Sequence, residues 1–456
     1  MKWATNFFLL TVVTAAGLAA RDEQVRDYQK TVPLAPGGAV HVEHSMGGVV
    51  VRTHAGQDVS VHATIRCSAS STEDAKKCVD RIEVILQATP NDVSLRTRYP
   101  ESSSGWFGRS VSYSVRYDIL IPESARLDLR NRFGPVEVSG LRAPGSIRNS
   151  NGSLRFSGGR GAQRLQNSFG PIEVDGNAGE LTIENTNGAV TVSGAEGPVD
   201  LRNRFGKVTV TRCAGGTIRN NNGAVEVSGA GGNVNVSNSF GAVTVTDARG
   251  DVTVDNANGA VEVRNVDGAA DLKSSFAAIR FSRIGRRLVA RTNNGAVIGE
   301  SVGGAAQVES SFGNVELRGV KAGARVQSAN ASVRVSDVTG EVFAATSFGG
   351  VTVENAGGPV TVENQNGSVT VRSTPDKGCR PVIAKTSFAP IRIAIPPGTG
   401  YTVEARTSFG KISSELEMTT TGAIGGDALN AKIAGGGCEL RLNNANGNIE
   451  IAKAGR

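Results

Sequence analysis

Four acidic residues, Glu173, Glu226, Glu262 and Glu316, each stand between two apolar neighbours in Val-x-Val-like runs. Carboxylates paired in a groove can cleave a glycosidic bond, one acting as acid and the other as base or nucleophile. A residue flanked by two inward neighbours on a strand points outward. These four fall in separate repeats, so they read as decoration of a face, and no enzyme is expected. All four histidines, His41, His44, His54 and His62, lie near the N-terminus. Such clustering could supply metal ligands, but His41 and His62 sit at outward strand positions and nothing fixes His44 or His54 beside them. They read as surface histidines, and no metal or cofactor is expected. Glycine recurs every nine residues in places (Gly188, Gly197, Gly206, Gly215), as in calcium-binding β-rolls, but Asp251 and Asp255 are isolated. Calcium needs several oxygen ligands per site.

The elements that would position these residues come from an internal repeat. Asn185-Thr-Asn-Gly-Ala-Val-Thr-Val192 recurs with its glycine at Gly134, Gly152, Gly170, Gly188, Gly206, Gly223, Gly241 and Gly259, in steps of 18 residues and once 17. The series continues at Gly295, Gly313, Gly349 and Gly367, with Ala277 and Ala331 substituting where it lapses. Fixed-period self-similarity marks a solenoid. The residue before the glycine alternates: Phe133, Asn151, Phe169, Asn187, Phe205, Asn222, Phe240, Asn258, Phe276, Asn294, Phe312, Asn330, Phe348, Asn366. Each 18-residue unit supplies two short strands and two turns. The fold class is therefore all-β, a parallel β-helix with about 18 residues per coil; a 36-residue coil is the alternative. Val199, Leu201, Asn203 and Phe205 share one inward parity, so the phenylalanines are expected inside. Asn-Gly is expected at corners where both residues accept positive φ, with an inward Asn ladder of amide hydrogen bonds. The Phe and Asn positions are thus structural repeat corners. Each buried Val contributes roughly 1.5–3 kcal/mol, and a coil needs neighbours to cover it.

The chain begins with Lys2, an apolar run from Trp3 to Leu18 and small residues at Ala19 and Ala20 before Arg21-Asp22-Glu23. Residues 1–20 read as a secretory signal peptide, too short for a membrane span, and no later segment approaches transmembrane length. Residues 21–130 read as a β-rich N-terminal cap with one short helix, after Ser71-Thr72 and through Cys78-Val79. Export permits disulfides. Cys67, ending a strand-like run, and Cys78 in that helix are the best pair among five cysteines. Cys379 with Cys438 is a second candidate across a long loop, and Cys213 is left over as an inert thiol. The loop containing Trp106 and Phe107 exposes large aromatics or tucks them onto the cap. Regular coils are expected over 131–375. Irregular coils and a closing cap, interrupted by prolines and a Gly-rich stretch, are expected over 376–456.

Glycine supplies 58 of 456 residues, aromatics only 5%, and the formal net charge is +7. The basic residues are scattered among acids without an aromatic-interleaved track, so nucleic acid is not an expected partner. The Asn-Ser-Phe-Gly and Asn-Gly-x-Val-x-Val units follow Tyr117-Asp118-Ile119-Leu120-Ile121-Pro122, and Thr407-Ser408-Phe409-Gly410-Lys411-Ile412 and Asn446-Gly447-Asn448-Ile449-Glu450-Ile451 come near the end. With these motifs the chain resembles the bacterial putative-adhesin family of exported β-solenoid domains. The resemblance implies a single-stranded parallel β-helix of the cell envelope and carries no catalytic residues. The expectation is a non-catalytic, adhesin-like module in the periplasm or at the cell surface, presenting extended sheet faces to an envelope polymer or protein. A self-associating envelope scaffold and a carbohydrate-active β-helix enzyme are the alternatives.

Overall fold

The computed structural model describes residues 22–100, 111–373, 378–420 and 426–454. The leader expected over 1–20 and the loop with Trp106 and Phe107 lie outside these residues. The chain is a parallel β-solenoid of about 15 turns with about 18 residues per turn. Alternate strands build two facing sheets: Ile172–Asn177 and Val190–Ala195 stack in one, Leu181–Asn187 and Val199–Phe205 in the other. Cα partners are 18 residues apart, as in Ile172↔Val190 and Leu181↔Val199, so a coil is one repeat rather than two. The single 17-residue step is absorbed in the turn at Gly215-Gly216, where Gly216 takes the place that Val199 has one coil earlier. Side chains alternate strictly. Val190, Val192, Leu201, Val208 and Val210 are buried between the sheets while Thr191 and Arg202 face water, which is why short β-branched residues suffice for a thin, two-layer interior.

Two sets of turns close each coil. From Gly140 to Asn355, one residue per coil takes the left-handed conformation at the same place, Gly194, Arg212, Gly229, Asp247, Asn265, Arg283 and Ser301 among them. It falls out of the ladder: Ser193↔Thr211 and Ala195↔Cys213 pair, whereas Gly194 and Arg212 bulge between them. At the opposite corner, the first half of the solenoid uses a glycine of positive φ, such as Gly188 at 145°.

Both ends are interleaved. Ala39–Met46 and Val49–His54 form a coil that stacks directly beneath Arg126–Phe133 and Val136–Ser139. The chain then leaves the solenoid, and Ser112–Pro122 and Asp92–Arg98 return to pair with the other side of this coil. Asp58–Ala69, Asp22–Pro33 and Glu83–Thr89 continue outward with antiparallel pairing. The stretch 21–130 thus contains one in-register solenoid coil, and the cap proper comprises the strands outside it. The helix Thr72–Arg81 packs on Asp22–Pro33 and Asp58–Ala69, its first turn capped by Ser71 Oγ, which accepts from the Asp74 amide at 3.2 Å. Cys67 and Cys78 are joined by a disulfide.

At the other end the last coil in sequence is not the last in space. Cys438–Asn444 inserts between Val382–Thr386 and Tyr401–Thr407, and Ile449–Lys453 inserts between Ile391–Ile395 and Ile412–Ser414. Antiparallel strands Ala428–Ile433 and Met418–Thr420 cover the outer coil, and Cys379 is bonded to Cys438. A strand paired on both sides frays less than a free terminus, and antiparallel cover shields most of an edge that would otherwise recruit further strands.

Candidate ligand-binding edge

The phenylalanines of the repeat are outside, contrary to their parity. Phe133, Phe169, Phe205, Phe240, Phe276, Phe312 and Phe348, followed by Phe388 and Phe409, are 41–82% exposed. The reason is local. Two residues earlier a buried polar side chain, Asn203 for example or Ser310 in a later coil, takes the last inward position and bonds the corner backbone, and the strand ends at or before the phenylalanine. Among the described residues the other exposed large apolar side chains are only Val25, Leu120 and Ile298.

The inward amides satisfy the corner. Nδ2 of Asn185 donates to Gly188 O of its own coil at 3.1 Å and to Gly170 O of the preceding coil at 3.4 Å; Asn167, Asn220, Asn238 and Asn256 repeat the pattern. The expected amide-to-amide ladder is realised at one step, Asn131 to Asn149 at 3.2 Å; elsewhere the amide stitches coils through backbone carbonyls. The asparagines that precede the corner glycines are a separate column. Asn151, Asn187, Asn222, Asn258 and Asn366 do not have positive φ; after the first three the glycine alone carries the strained angle, at Gly152, Gly188 and Gly223. Their Nδ2 atoms donate to the previous coil, to Arg132 O, Ser168 O, Arg204 O, Ser239 O and Ser347 O at 3.1–3.5 Å.

The resulting edge alternates one ring and one amide per coil. With roughly 4.8 Å between parallel strands, rings recur about every 9.5 Å along the axis. Two groove sections lie beside it, one in the first half and one near the C-terminal end. One section, of about 630 Å³, lies between Arg148, Gln166 and Glu184 on the far bank and Ser150, Ser168 and Thr186 near the edge. The far bank is held by hydrogen bonds from Arg148 Nε to Gln166 Oε1 (2.8 Å), Gln166 Nε2 to Glu184 Oε2 (2.6 Å) and Arg164 Nη2 to Glu184 Oε1 (2.7 Å). An equivalent section of about 610 Å³, with Lys385, Ser387, Arg406 and Ser408, lies beside Phe388 and Phe409.

The sheet faces are occupied by their own charges. Glu173 pairs with Arg155, Glu226 with Lys207 and Glu262 with Arg264, while Glu316 lines a separate surface depression with Arg280 and Arg318. Each exposed pair contributes little to stability.

The histidines separate into two kinds. His41 lies 3.0 Å from Asp92 and 3.9 Å from Asp128, His62 lies 3.5 Å from Asp27, and His54 Nε2 lies 2.8 Å from Asp58 O. His44, expected at the surface, is buried. It pairs in register with Asn131 and so occupies the first rung of the inward amide column. Its Nδ1 lies 3.1 Å from Thr97 Oγ1 and 3.3 Å from Tyr99 OH, and Thr97 Oγ1 is 2.6 Å from Tyr117 OH. Burial pulls the His44 imidazole down to about 4 and pushes the Tyr117 phenol up to about 12, so both are neutral at pH 7. Among the described residues no three His, Cys, Asp or Glu side chains are grouped to hold a metal. Cys213 is a buried free thiol, and burial pushes its pKa up, away from the reactive thiolate.

One motif escapes the sequence reading. Gly299-Glu300-Ser301-Val302-Gly303 has the spacing of a nucleophile elbow, and Ser301 has a φ of 63°. Here that φ belongs to the left-handed residue that each coil from Gly140 to Asn355 shares. The strand Val297–Val302 leads to another strand, Ala306–Ser310, rather than to a helix. The Phe edge itself has a sequence signal: a 36-residue alternation beside an inward column that keeps an 18-residue period.

No family model matches the chain, and no curated protein matches it. Among solved structures it is similar to a "putative cell adhesion protein" from Clostridium sporogenes, over 94% of this chain and 100% of that one, with 8% identity and a TM-score of 0.14.

Proposed function

We propose that the chain is a non-catalytic, adhesin-like binding module of the cell envelope, which engages an extended partner along the Phe/Asn edge and its groove. The observation that carries this reading is that, among the described residues, nearly all exposed large apolar side chains are confined to one column. Such a stripe gives up burial that the same residues could gain, and contiguous exposed apolar surface marks contact sites. Solenoids commonly bind through extended surfaces of this kind. Export is supported by the leader-like opening of the sequence and by two disulfides, which persist in oxidising compartments. The module has no catalytic role in this reading, because the four strand carboxylates stand in separate coils, Glu173 and Glu226 paired across coils and Glu262 with Arg264 of its own strand.

The test compares the native sequence with a variant in which Phe169, Phe205, Phe240 and Phe276 are all serine. The native protein is expected to bind isolated cell envelopes saturably while light scattering reports a monomer; the variant melts at the same temperature and does not bind. Retained binding by the variant removes the edge from the function. Concentration-dependent oligomers abolished by the same substitutions would instead identify the edge as a self-assembly surface, the scaffold reading.

A further inference from the structure

We infer that the edge binds an uncharged, β-1,4-linked polysaccharide lying along the solenoid axis, with one aromatic ring under every second sugar. The inference rests on the edge being the contact surface, and three features of that edge select the ligand.

The first feature is the repeat. Rings recur every two coils, about 9.5 Å, from Phe133 to Phe348. A peptide strand presents same-face side chains about every 6.7 Å and a helix advances about 5.4 Å per turn, so neither stays in phase with the rings. In an extended β-1,4-linked chain, alternate pyranoses turn over, so the same apolar ring face returns every second sugar, a length comparable to two coils. The second feature is charge. From Ser239 to Phe409 neither the edge column nor its flanking column (Ser239, Ser275, Asn293, Ser311, Ser347, Ser387) contains an ionised side chain, although one residue in five of the whole chain is charged. A polyanion would gain nothing along that stretch; in the first half the flanking column carries two arginines, Arg132 and Arg204, whose guanidinium groups lie over Phe133 and Phe205. The third is hydrogen bonding. The edge asparagines spend Nδ2 on their own backbone, which leaves Oδ1 to accept. A second copy of this edge would set acceptor against acceptor at the asparagines, whereas sugar hydroxyls donate to Oδ1 and exchange hydrogen bonds with the half-buried flanking Ser275, Ser311 and Ser347.

Two deletions test the phase directly. Removal of residues 277–294 excises one 18-residue coil, keeps every edge phenylalanine and places Phe276 and Phe312 on adjacent coils. Removal of residues 277–312 excises two coils, loses Phe312 and preserves the alternation. Both junctions restore a Phe-Gly pair. Binding is measured to cellohexaose, chitohexaose and insoluble cellulose and chitin, with maltohexaose as the α-linked control. The native chain is expected to bind at least one β-1,4 series and not maltohexaose, with affinity rising in steps of two sugars. The one-coil deletion is expected to weaken binding to the insoluble polymer by about tenfold through lost multivalency, and the two-coil deletion far less. Equal binding by the two deletions overturns the inference. So does failure of the native chain to bind any β-1,4 glycan; if the four-serine variant still loses envelope binding in that case, the edge stands as a contact surface for another ligand. Should a deletion fail to fold, Phe276→Ala and Phe312→Ala each apply the same test, with a loss of β-1,4 glycan affinity expected and unchanged affinity overturning it.

Discussion

Asn185-Thr-Asn-Gly188 and Asn256-Ala-Asn-Gly259 differ by one residue, yet they close their coils differently. In the first half of the solenoid the corner glycine has positive φ, its strand runs seven residues as in Leu181–Asn187, and its N–H donates forward, Gly188 N to Phe205 O at 2.9 Å. In the second half the strand shortens to five residues, as in Leu288–Thr292. Gly259, Gly295, Gly313 and Gly367 leave the positive-φ region, with Gly349 the exception, and corner amides donate backward, as in Asn294 N to Ser275 O at 3.0 Å. The inward residue changes one coil later, from Asn up to Asn256 to Ser274, Thr292, Ser310 and Thr346, before Asn returns at Asn364. The amide reaches two carbonyls at once. A hydroxyl typically makes one strong contact, as Ser310 Oγ does with Gly313 O at 3.0 Å, and also accepts from Gly313 N. Corner polarity is therefore a property of a stack. A coil donating forward beside one donating backward forfeits a hydrogen bond, so neighbours adopt the same form and the change is confined to one junction, between Asn238 and Asn256.

The most severe way to break the first-half corner is Gly188→Ala. Its Cβ would sit 2.2 Å from Gly170 O at a φ of 145°, and a loss of about 3 kcal/mol or more is expected in urea unfolding followed by circular dichroism. The control is Gly194→Ala in the left-handed turn, where the nearest atom is 3.7 Å away; it should lose only about 1 kcal/mol. A pH series sharpens the contrast between the coils and the N-terminal coil in which His44 replaces the amide. His44 is neutral when folded, with its pKa lowered to about 4 from 6.5, so its contribution is complete above pH 6.5 and is lost as pH falls through 4. The loss totals about 3 kcal/mol, and His44→Gln should flatten stability against pH in that window.

A smaller effect separates the two halves themselves. Asn185→Ala should lose about 2 kcal/mol through two lost hydrogen bonds, one leaving Gly188 O without its amide donor and one leaving Gly170 O with Asn167 alone, Asn185→Ser should recover part of it, and Ser310→Ala should lose about 1 kcal/mol. Equal losses at Asn185 and Ser310 would refute the two-carbonyl account. Arg212→Gly relieves a non-glycine residue at φ 51° and should stabilise by about 1 kcal/mol. The smallest change in stability belongs to the edge: Phe205→Ser should shift stability by no more than about 0.5 kcal/mol in either direction while weakening binding.

Much of the architecture is legible in the residues. The 18-residue recurrence of glycine and the alternation of Val190, Thr191 and Val192 specify stacked two-strand coils, because a period-2 pattern on a period-18 frame fits no other element. The edge is legible only in part. Phe205 shares the parity of Val199 and Leu201, and parity fails where the strand reaches the corner and a buried polar side chain, here Asn203, takes the last inward position. His44 is read as a surface residue because its outward neighbours His41 and Glu43 disguise a position that register alone identifies as the counterpart of Asn131.

The sequence by itself determined the period, the apolar interior and the alternation of ring and amide, since each follows from local side-chain type and spacing. Tertiary structure decided which way the corner phenylalanines face, which half donates its corner hydrogen bonds forward, and that both end coils are clamped between strands distant in sequence. Those outcomes depend on what the neighbouring coil offers. A carbonyl 18 residues away, or a strand such as Tyr401–Thr407 lying outside Cys438–Asn444, becomes a neighbour only when the coils stack.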